Sequence, residues 1–349
     1  MTQTELKSEG DAAGGTRAAA HAPRRLGGWE LLDLAAVGSW SQIYRARPAR
    51  ASVDRPAAYA VKTLRPQYQD DPRAVALMAR EAVAGRCVSH PHLIPVLEAS
   101  ISRPPRYLVM PWLEGTTLQT QLKGPPLPPI AYDGIGEGWN EGICDQRPGA
   151  TAGLSSAASS TIGQANRGGR ASLDVPRALW IARQTAQALQ ALDDQGWTHG
   201  DVKPSNIFLS PQGHVTLLDL GFARRHEQSG SAVDRLILGT CNYIAPEHIT
   251  STLGSDIRSD IYSLGVVLYQ LLSGRLPYEA HDLAELATRH RRTSPPRLRR
   301  LIPQIAPEVA RLAEQMLAKN PLRRPQTPRE LVKRLVALEI STFSERMVA

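Results

Sequence analysis

The sequence contains little cysteine and no long apolar run. Three of its 349 residues are cysteine (Cys87, Cys144 and Cys241), and their spacing matches neither a disulfide framework nor a metal-binding motif. It also lacks a run of the roughly eighteen apolar residues that a membrane-spanning helix requires. The N-terminal residues do not contain the apolar segment of a secretory signal, so none is expected. These absences favour a cytoplasmic protein without a membrane span.

Acidic residues are outnumbered, 33 against 41 lysines and arginines, which gives a formal net charge of +8. Part of the excess is local, because six arginines and no acidic residue lie between Arg289 and Arg300. Such a run can bind nucleic acid, anionic lipid or acidic protein. No aromatic residue interleaves with these arginines, as base stacking would need, so nucleic acid is not an expected partner. The pattern favours a solvated loop between two helices, and recruitment of acidic partners is the alternative.

The first half of the chain predicts a disordered arm followed by a small β-rich lobe. Residues 1–27 are rich in Ala, Gly and charge and offer little to bury. Residues 72–88 read as a helix with Pro72 in its first turn. The strand-like segments are 29–34, 36–46, 58–62 and 107–110.

Residues 123–174 interrupt this pattern. Twenty of these 52 residues are Gly, Pro or Ser, which indicates an insertion or linker and not a core segment. The segment also contains apolar residues, so a docking role is an alternative to a flexible insertion. Beyond it, apolar periodicity predicts helices over 177–194, 260–273 and 305–340, and the second lobe is therefore expected to be mostly α.

Two motifs carry the chemistry. His199-Gly200-Asp201-Val202-Lys203-Pro204-Ser205-Asn206 is followed by Asp219-Leu220-Gly221. In this order and at this spacing they resemble the catalytic loop and the magnesium-binding turn of eukaryotic-type (Hanks-type) serine/threonine protein kinases, most closely the bacterial members. The resemblance implies that Asp201 accepts the proton of the substrate hydroxyl and that Lys203 contacts the γ-phosphate. It also implies that Asn206 and Asp219 bind Mg²⁺.

The resemblance covers about residues 28–340, apart from the insertion. It implies an α+β, bilobal protein-kinase fold, with a small β-rich N-lobe that has one main helix and a larger, mostly α C-lobe. The N-lobe would be residues 28–112, the C-lobe 113–340 with the insertion at 123–174, and the tail 341–349.

The N-lobe motifs imply an ATP site. Lys62 matches the strand lysine that pairs with the α- and β-phosphates, and Glu81 matches the helix glutamate that holds it. The Gly-rich loop of the family matches Ala36-x-Gly38-x-Trp40-Ser41-x-Ile43, in which only the middle glycine is retained. Weaker ATP binding is therefore expected, with Trp40 at the loop tip shielding the phosphates.

The hinge between the lobes matches Met110 to Gly115. Met110 would be the gatekeeper, Pro111 would supply the carbonyl and Leu113 the N–H that bind adenine. The missing N–H of proline is harmless there, since none is required at that position. Three apolar residues would sandwich the base: Ile43, Ala60 and Phe208.

One position departs from the family. Gly200 stands where an arginine usually pairs with a phosphate on the activation segment. We therefore expect that phosphorylation of this segment is not strictly required, although Ser229 and Ser231 are candidate autophosphorylation sites. Lys203 and Thr240 are typical of members directed to Ser and Thr.

Three further residues match structural supports of the family. Glu247 and Arg324 match a buried ion pair, and Asp260 matches an aspartate that braces the catalytic loop.

The predicted function is transfer of the γ-phosphate of Mg-ATP to Ser or Thr hydroxyls of protein substrates. Because Gly200 and the altered Gly-rich loop are departures, a pseudokinase scaffold that binds ATP or partners without efficient turnover is the alternative. Small-molecule kinases with the same fold usually lack the segment that ends in Ala245-Pro246-Glu247, which disfavours a third class.

Overall fold

The computed structural model describes residues 24–52, 56–123, 172–226, 241–250, 256–280 and 282–348. The predicted insertion at 123–174 falls almost wholly outside these ranges, as do Ser229, Ser231 and Thr240. Only its edges are described, with residue 123 ending a short helix and Asp174 capping the next one.

The small lobe is a six-stranded antiparallel sheet with one helix packed on one face. The spatial order is β1-β2-β3-β4-β6-β5. The helix, α1 (Pro72–Cys87), begins where the Asp71 carboxylate accepts the N–H groups of Arg73 and Ala74, both at 2.9 Å. The strands are β1 (Arg24–Leu26), β2 (Trp29–Val37), β3 (Ser41–Pro48), β4 (Tyr59–Leu64), β5 (Glu98–Ser100) and β6 (Tyr107–Pro111).

The sheet buries both faces of its central strands, so the small lobe has two apolar clusters. On β6, Leu108 and Met110 face α1, whereas Tyr107 and Val109 face a second cluster on the opposite side. This alternation follows from the two-residue period of a strand. Lys62 on β4 lies in phase with Leu64, and its side chain therefore points towards α1.

Residues 24–27 of the predicted disordered arm, 1–27, belong to the small sheet and its first turn, whereas residues 1–23 lie outside the described ranges. Arg24–Leu26 pair with Trp29–Leu31 as a hairpin, which corrects the boundary for these residues. The physical reason is Leu26, which is buried against Leu31 and Tyr107. The turn needs glycine, because Gly27 has φ 58° and a Cβ there would lie 2.4 Å from the Tyr107 hydroxyl oxygen.

The large lobe is mostly helical, as predicted, and is built around α5 (Ile257–Ser273). This helix is apolar on nearly all sides, and almost every residue of it is buried. The other helices of the described part are α2 (Leu118–Lys123), α3 (Val175–Asp194), α4 (Pro246–Thr250), α6 (Leu283–Arg292), α7 (Leu298–Leu301), α8 (Pro307–Met316) and α9 (Pro328–Val348).

Three C-terminal predictions need correction. The helix predicted over 305–340 is two helices, α8 and α9, because Pro321 and Pro325 interrupt the regular hydrogen bonding between them. The predicted tail 341–349 continues α9 as far as Val348. The basic run, predicted as a loop, instead includes the end of α6 and all of α7.

Two small sheets support the segments that carry the chemistry. The first contains β7 (Thr116–Thr117), β9 (Ile207–Leu209) and β10 (Val215–Leu217), and the second pairs β8 (Trp197–Thr198) with β11 (Arg224–Arg225). Within the described ranges, no helix combines the length and apolar character needed to cross a lipid bilayer.

Candidate active site

The catalytic loop, residues 199–206, connects β8 to β9 and is held from below by Asp260 on α5. The Oδ2 atom of Asp260 accepts the His199 N–H at 2.7 Å, and its Oδ1 atom accepts the Gly200 N–H at 2.7 Å. Gly200 has φ 83°, a left-handed conformation that favours glycine. The departure at this position therefore fits the backbone, and Asp260 has the bracing role predicted for it.

His199 fixes the loop from within. Its Nδ1 atom accepts the Asp201 N–H at 3.1 Å, and its Nε2 atom lies 3.0 Å from the Leu218 carbonyl oxygen. One ring nitrogen must accept and the other must donate, so the imidazole is the neutral Nε2–H tautomer. The fully buried ring thus links the loop to the residue before Asp219.

Asp201 is nearly fully buried and has two side-chain partners. The Lys203 ammonium lies 2.7 Å from Oδ2 of Asp201. The Asn206 amide donates to that same oxygen at 2.9 Å and to the Asp201 carbonyl at 2.8 Å. The carboxylate is therefore held through its Oδ2 atom by both partners.

Asp219 lies across the cleft in the left-handed conformation, with φ 63°. Its Oδ1 atom accepts the Gly221 N–H at 3.4 Å and lies 3.1 Å from the Lys62 ammonium. The side chain keeps 38% of its surface exposed. A Cβ at position 221 would come within 3.3 Å of Oδ1, so glycine provides the room for this turn.

The donor set fits a hard divalent cation. Both amide hydrogens of Asn206 point towards Asp201, so its Oδ1 oxygen is the atom left for a cation, and Asp219 contributes a partly exposed carboxylate. Mg²⁺ is usually bound by one or two such oxygens together with substrate phosphates and water. In the part of the chain that the structure describes, no group of three or more His, Cys, Asp or Glu forms a self-sufficient metal centre.

Lys62 lies between two carboxylates, 2.6 Å from Oε2 of Glu81 and 3.1 Å from Oδ1 of Asp219. Burial alone would lower the pKa of Lys62, but the two carboxylates outweigh it and raise that pKa above its usual range. Burial raises the pKa of Glu81 to about 7 despite the adjacent ammonium. Burial alone would raise the pKa of Asp219, but the charge and hydrogen bond of Lys62 and the charge of Lys203 act together to lower it.

The flap over the cleft is the turn between β2 and β3. The Gly38 N–H donates to the Ser41 carbonyl at 2.8 Å, which closes the turn. The Trp40 ring packs on Tyr68, with ring centroids 5.0 Å apart, and the Arg65 N–H donates to the Trp40 carbonyl at 2.9 Å. These two contacts attach the flap tip to the segment before α1. Trp40 also lines the cleft.

One cavity of about 230 Å³ collects eight of the predicted site residues. They come from the flap, the strand lysine, α1, the catalytic loop and the metal-binding turn: Gly38, Trp40, Lys62, Glu81, Asp201, Lys203, Asn206 and Asp219. The apolar lining from α1 (Ala74, Leu77 and Met78), together with Leu64 and Phe222, is missing from the sequence prediction. Such residues look like ordinary core in a sequence, and only the sheet-to-helix packing brings them to the cleft.

The seven remaining predicted residues do not line this cavity. Ala60 pairs with Met110 across β4 and β6, and Pro111 pairs with Tyr59. Met110 is buried in the cluster that α1 shares with the sheet, and Phe208 lies on β9 opposite Thr117 and Thr216. Adenine binding by these residues stays a prediction, as it does for the others of the set, Ala36, Ile43 and Leu113.

The segment that follows the cleft is anchored by Glu247 and Arg324, as predicted. The guanidinium donates from Nη1 to Oε1 at 2.6 Å and from Nη2 to Oε2 at 2.8 Å. The Arg324 side chain has no exposed surface. A bidentate pair of this kind fixes both distance and orientation.

Comparison with known proteins agrees with this geometry. A profile of the protein kinase domain matches residues 166–336, and one described as the phosphotransferase enzyme family matches residues 44–226. Serine/threonine-protein kinase PknB of Mycolicibacterium smegmatis is 28% identical over 311 residues, which are 87% of this chain and 41% of that protein. PknD of Mycobacterium tuberculosis is 28% identical over 327 residues, 92% of this chain and 41% of that protein.

PknA of Mycobacterium tuberculosis is 30% identical over 305 residues, covering 85% of this chain and 58% of that protein. The chain thus spans about two fifths to three fifths of the length of these relatives. The two profile matches together include most of the small lobe, the catalytic loop and the segment anchored by Glu247. The chain belongs to the Hanks-type family of serine/threonine protein kinases, with the bilobal α+β fold of that family.

Proposed function

We propose that this chain transfers the γ-phosphate of Mg-ATP to serine and threonine hydroxyls of proteins. The observation that carries the proposal is the convergence of two ionic groups on one cleft. Lys62 with Glu81 and Asp219 forms one group, and Asp201 with Lys203 and Asn206 forms the other. Phosphoryl transfer depends mainly on positioning and on charge stabilisation, which these groups supply.

Asp201 is the proposed base. Lys203 and Asn206 hold its Oδ2 atom, and the carboxylate would receive the proton of the incoming hydroxyl. As the hydroxyl oxygen bonds to the γ-phosphorus, the bond from that phosphorus to the bridging oxygen of ADP breaks. The proton passes to Asp201, and the Lys203 ammonium lies beside it to balance the charge of the phosphoryl group.

Lys62 positions the nucleotide. Its ammonium is held by Glu81, so a long side chain is already ordered when the phosphates bind, which lowers the entropic cost of alignment. Asn206 and Asp219 would hold Mg²⁺, which shields the phosphate charges when bound. The apolar residues of α1 limit the access of water to this side of the cleft.

A small-molecule phosphotransferase is the second candidate, because that family profile matches residues 44–226. The matched range contains the shared phosphate machinery but stops before Glu247. The bidentate Glu247–Arg324 pair fixes a segment that a protein-directed kinase uses for its peptide substrate, and it favours a protein acceptor. A scaffold without turnover has little support, since the ionic groups that transfer requires are in place.

The test is incubation with labelled ATP and Mg²⁺, comparing the wild type with Asp201→Asn, followed by mapping of the modified residues. Generic protein substrates and a panel of small hydroxyl-bearing molecules are offered in parallel. Label on Ser or Thr that disappears in Asp201→Asn supports the proposal, and mapping shows whether Ser229 or Ser231 is modified. Label only on the small molecules would favour the second candidate. ATP binding without any transfer would contradict the proposal and favour a scaffold.

A further inference from the structure

A second cavity lies in the large lobe, away from the cleft. It has a volume of about 340 Å³ and lies between the loop before α7, α7 itself and one side of α8. We call it the arginine cavity, and its lining is Arg297, Arg299, Arg300, Pro307, Ala310, Arg311 and Glu314. The proposed phosphoryl transfer uses none of these residues.

The charge around the arginine cavity is unbalanced. Arg297, Arg299 and Arg300 have no carboxylate within ion-pair distance among the residues that the structure describes. Arg311 makes a long, exposed contact with Glu308, at 3.5 Å. Four arginines thus line the cavity together with one carboxylate, that of Glu314, so positive charge predominates.

The backbone that presents these arginines is fixed. Leu298 is fully buried in the main core of the large lobe. The Tyr269 hydroxyl on α5 donates to the Pro296 carbonyl at 2.9 Å, and the Arg300 N–H donates to the Arg297 carbonyl at 2.9 Å. The arginines therefore project from an ordered turn, so a ligand would not have to order the backbone.

The location connects the arginine cavity with the substrate side of the molecule. The turn that contains it follows α6, and α6 packs on α4 and on the Cys241–Tyr243 turn, which belong to the segment anchored by Glu247. Arg291 and Arg292 end α6 on the way to the cavity, and neither has a carboxylate partner within the described ranges.

We propose that the arginine cavity binds an acidic segment of a protein substrate, at a distance from the residue that is phosphorylated. Guanidinium groups match carboxylates in paired geometry, and the cavity has room for a few acidic side chains. Nucleic acid is less favoured, because the described lining of the cavity contains no aromatic side chain. This inference rests on the proposed protein-kinase function, since it names the class of substrate.

The binding test does not depend on turnover. A fluorescein-labelled oligoglutamate peptide is titrated with the whole chain at low ionic strength, and an oligoglutamine peptide is the uncharged reference. Arg299→Glu/Arg300→Glu should weaken oligoglutamate binding roughly tenfold, because two attractions become repulsions. Arg86→Glu/Arg103→Glu changes the net charge equally at two exposed small-lobe sites, and it should bind as the wild type does.

A kinetic experiment tests whether the cavity contributes to the binding of substrates. A serine peptide with an oligoglutamate extension should show a raised KM with Arg299→Glu/Arg300→Glu and an unchanged kcat. The same peptide with an oligoglutamine extension should show no difference between the two proteins. If the wild type binds oligoglutamate but phosphorylates nothing, the proposed function fails while the binding result stands.

The inference is overturned if the wild type does not bind oligoglutamate, or if both charge-reversal variants weaken binding equally. Tighter binding to a single-stranded oligonucleotide or to phosphatidylserine vesicles, lost in Arg299→Glu/Arg300→Glu, would also overturn it. Those results would assign the cavity to nucleic acid or to membrane.

Discussion

The Nζ atom of Lys62 lies 2.6 Å from Oε2 of Glu81, and this contact joins β4 to α1 across the face of the small sheet. Because the pKa of Glu81 is raised to about 7, the pair is fully ionic only above neutral pH. The raised pKa of Lys62 keeps the ammonium charged throughout. Glu81 therefore sets the pH at which the pair is weakened.

We predict that kcat/KM for ATP falls as the pH decreases below about 7, since protonation of Glu81 removes its charge from Lys62. Glu81→Gln should be less active at pH 8 and should lack this decline. Stability should respond in the opposite sense, because a carboxyl with a raised native pKa stabilises the fold most at low pH and loses that contribution as the pH rises through 7. A pH–rate profile in which wild type and Glu81→Gln decline in parallel would contradict this assignment.

Gly200 should resist substitution for a backbone reason. Its φ of 83° costs an L-residue roughly 1–2 kcal/mol, so Gly200→Ala should lower the free energy of unfolding by about that amount. Gly28→Ala is the matched control, because the described structure places no atom within 4 Å of where its Cβ would stand and its φ is not in the left-handed range. Urea unfolding of both variants checks the difference, and equal losses would show that the conformation at position 200 is not the cause.

Removal of the Arg324 side chain should be costly. Arg324→Met leaves the Glu247 carboxylate without its positively charged partner, with the Ser259 hydroxyl still donating to it, and we expect a loss of about 3–5 kcal/mol in unfolding free energy. Arg329→Met breaks an exposed 3.3 Å contact with Asp194 and should cost less than about 1 kcal/mol. Thermal melts of the two variants test this, and similar melting temperatures would argue against a buried anchor.

Tyr68 should act on ATP through Trp40. Tyr68→Ala removes the ring on which Trp40 packs, so the flap tip loses a fixed position and KM for ATP should rise several-fold, with a smaller change in kcat. Tyr68→Phe keeps the ring and should behave as the wild type does. A kcat loss without a KM change in Tyr68→Ala would indicate a different role.

The ionic groups of the cleft can be located from the sequence because each belongs to a short motif that resembles one of the protein-kinase family. Asp201, Lys203 and Asn206 lie within one such motif, and Lys62 and Glu81 match the strand lysine and the helix glutamate of the family. The contact between Tyr68 and Trp40 cannot be found in this way, because it depends on how the turn after β4 folds back onto the flap. The left-handed conformation of Gly200 cannot be predicted from the sequence either, because glycine adopts positive and negative φ about equally readily.

The boundaries are the weakest predictions for a related reason. Leu26 follows a run of Ala, Gly and charged residues, and only its burial against Tyr107 shows that the sheet begins there. To predict the break between α8 and α9, the proline positions would have to be weighed against the strong apolar periodicity on both sides.

Asp260 has a consequence for how the site comes apart. Its carboxylate accepts hydrogen bonds from the N–H groups of His199 and Gly200, and it lies on the most buried helix of the described structure. The hydrogens of these two amides should therefore exchange with solvent only when the large lobe unfolds globally. Lys62 and Glu81 lie on β4 and α1, which pack together through a smaller apolar core, and this core is free to open at a lower cost. A transient opening of the small lobe would then separate Lys62 from Glu81 and leave Asp201 and Asn206 in place. The active site would re-form once the small lobe alone has refolded.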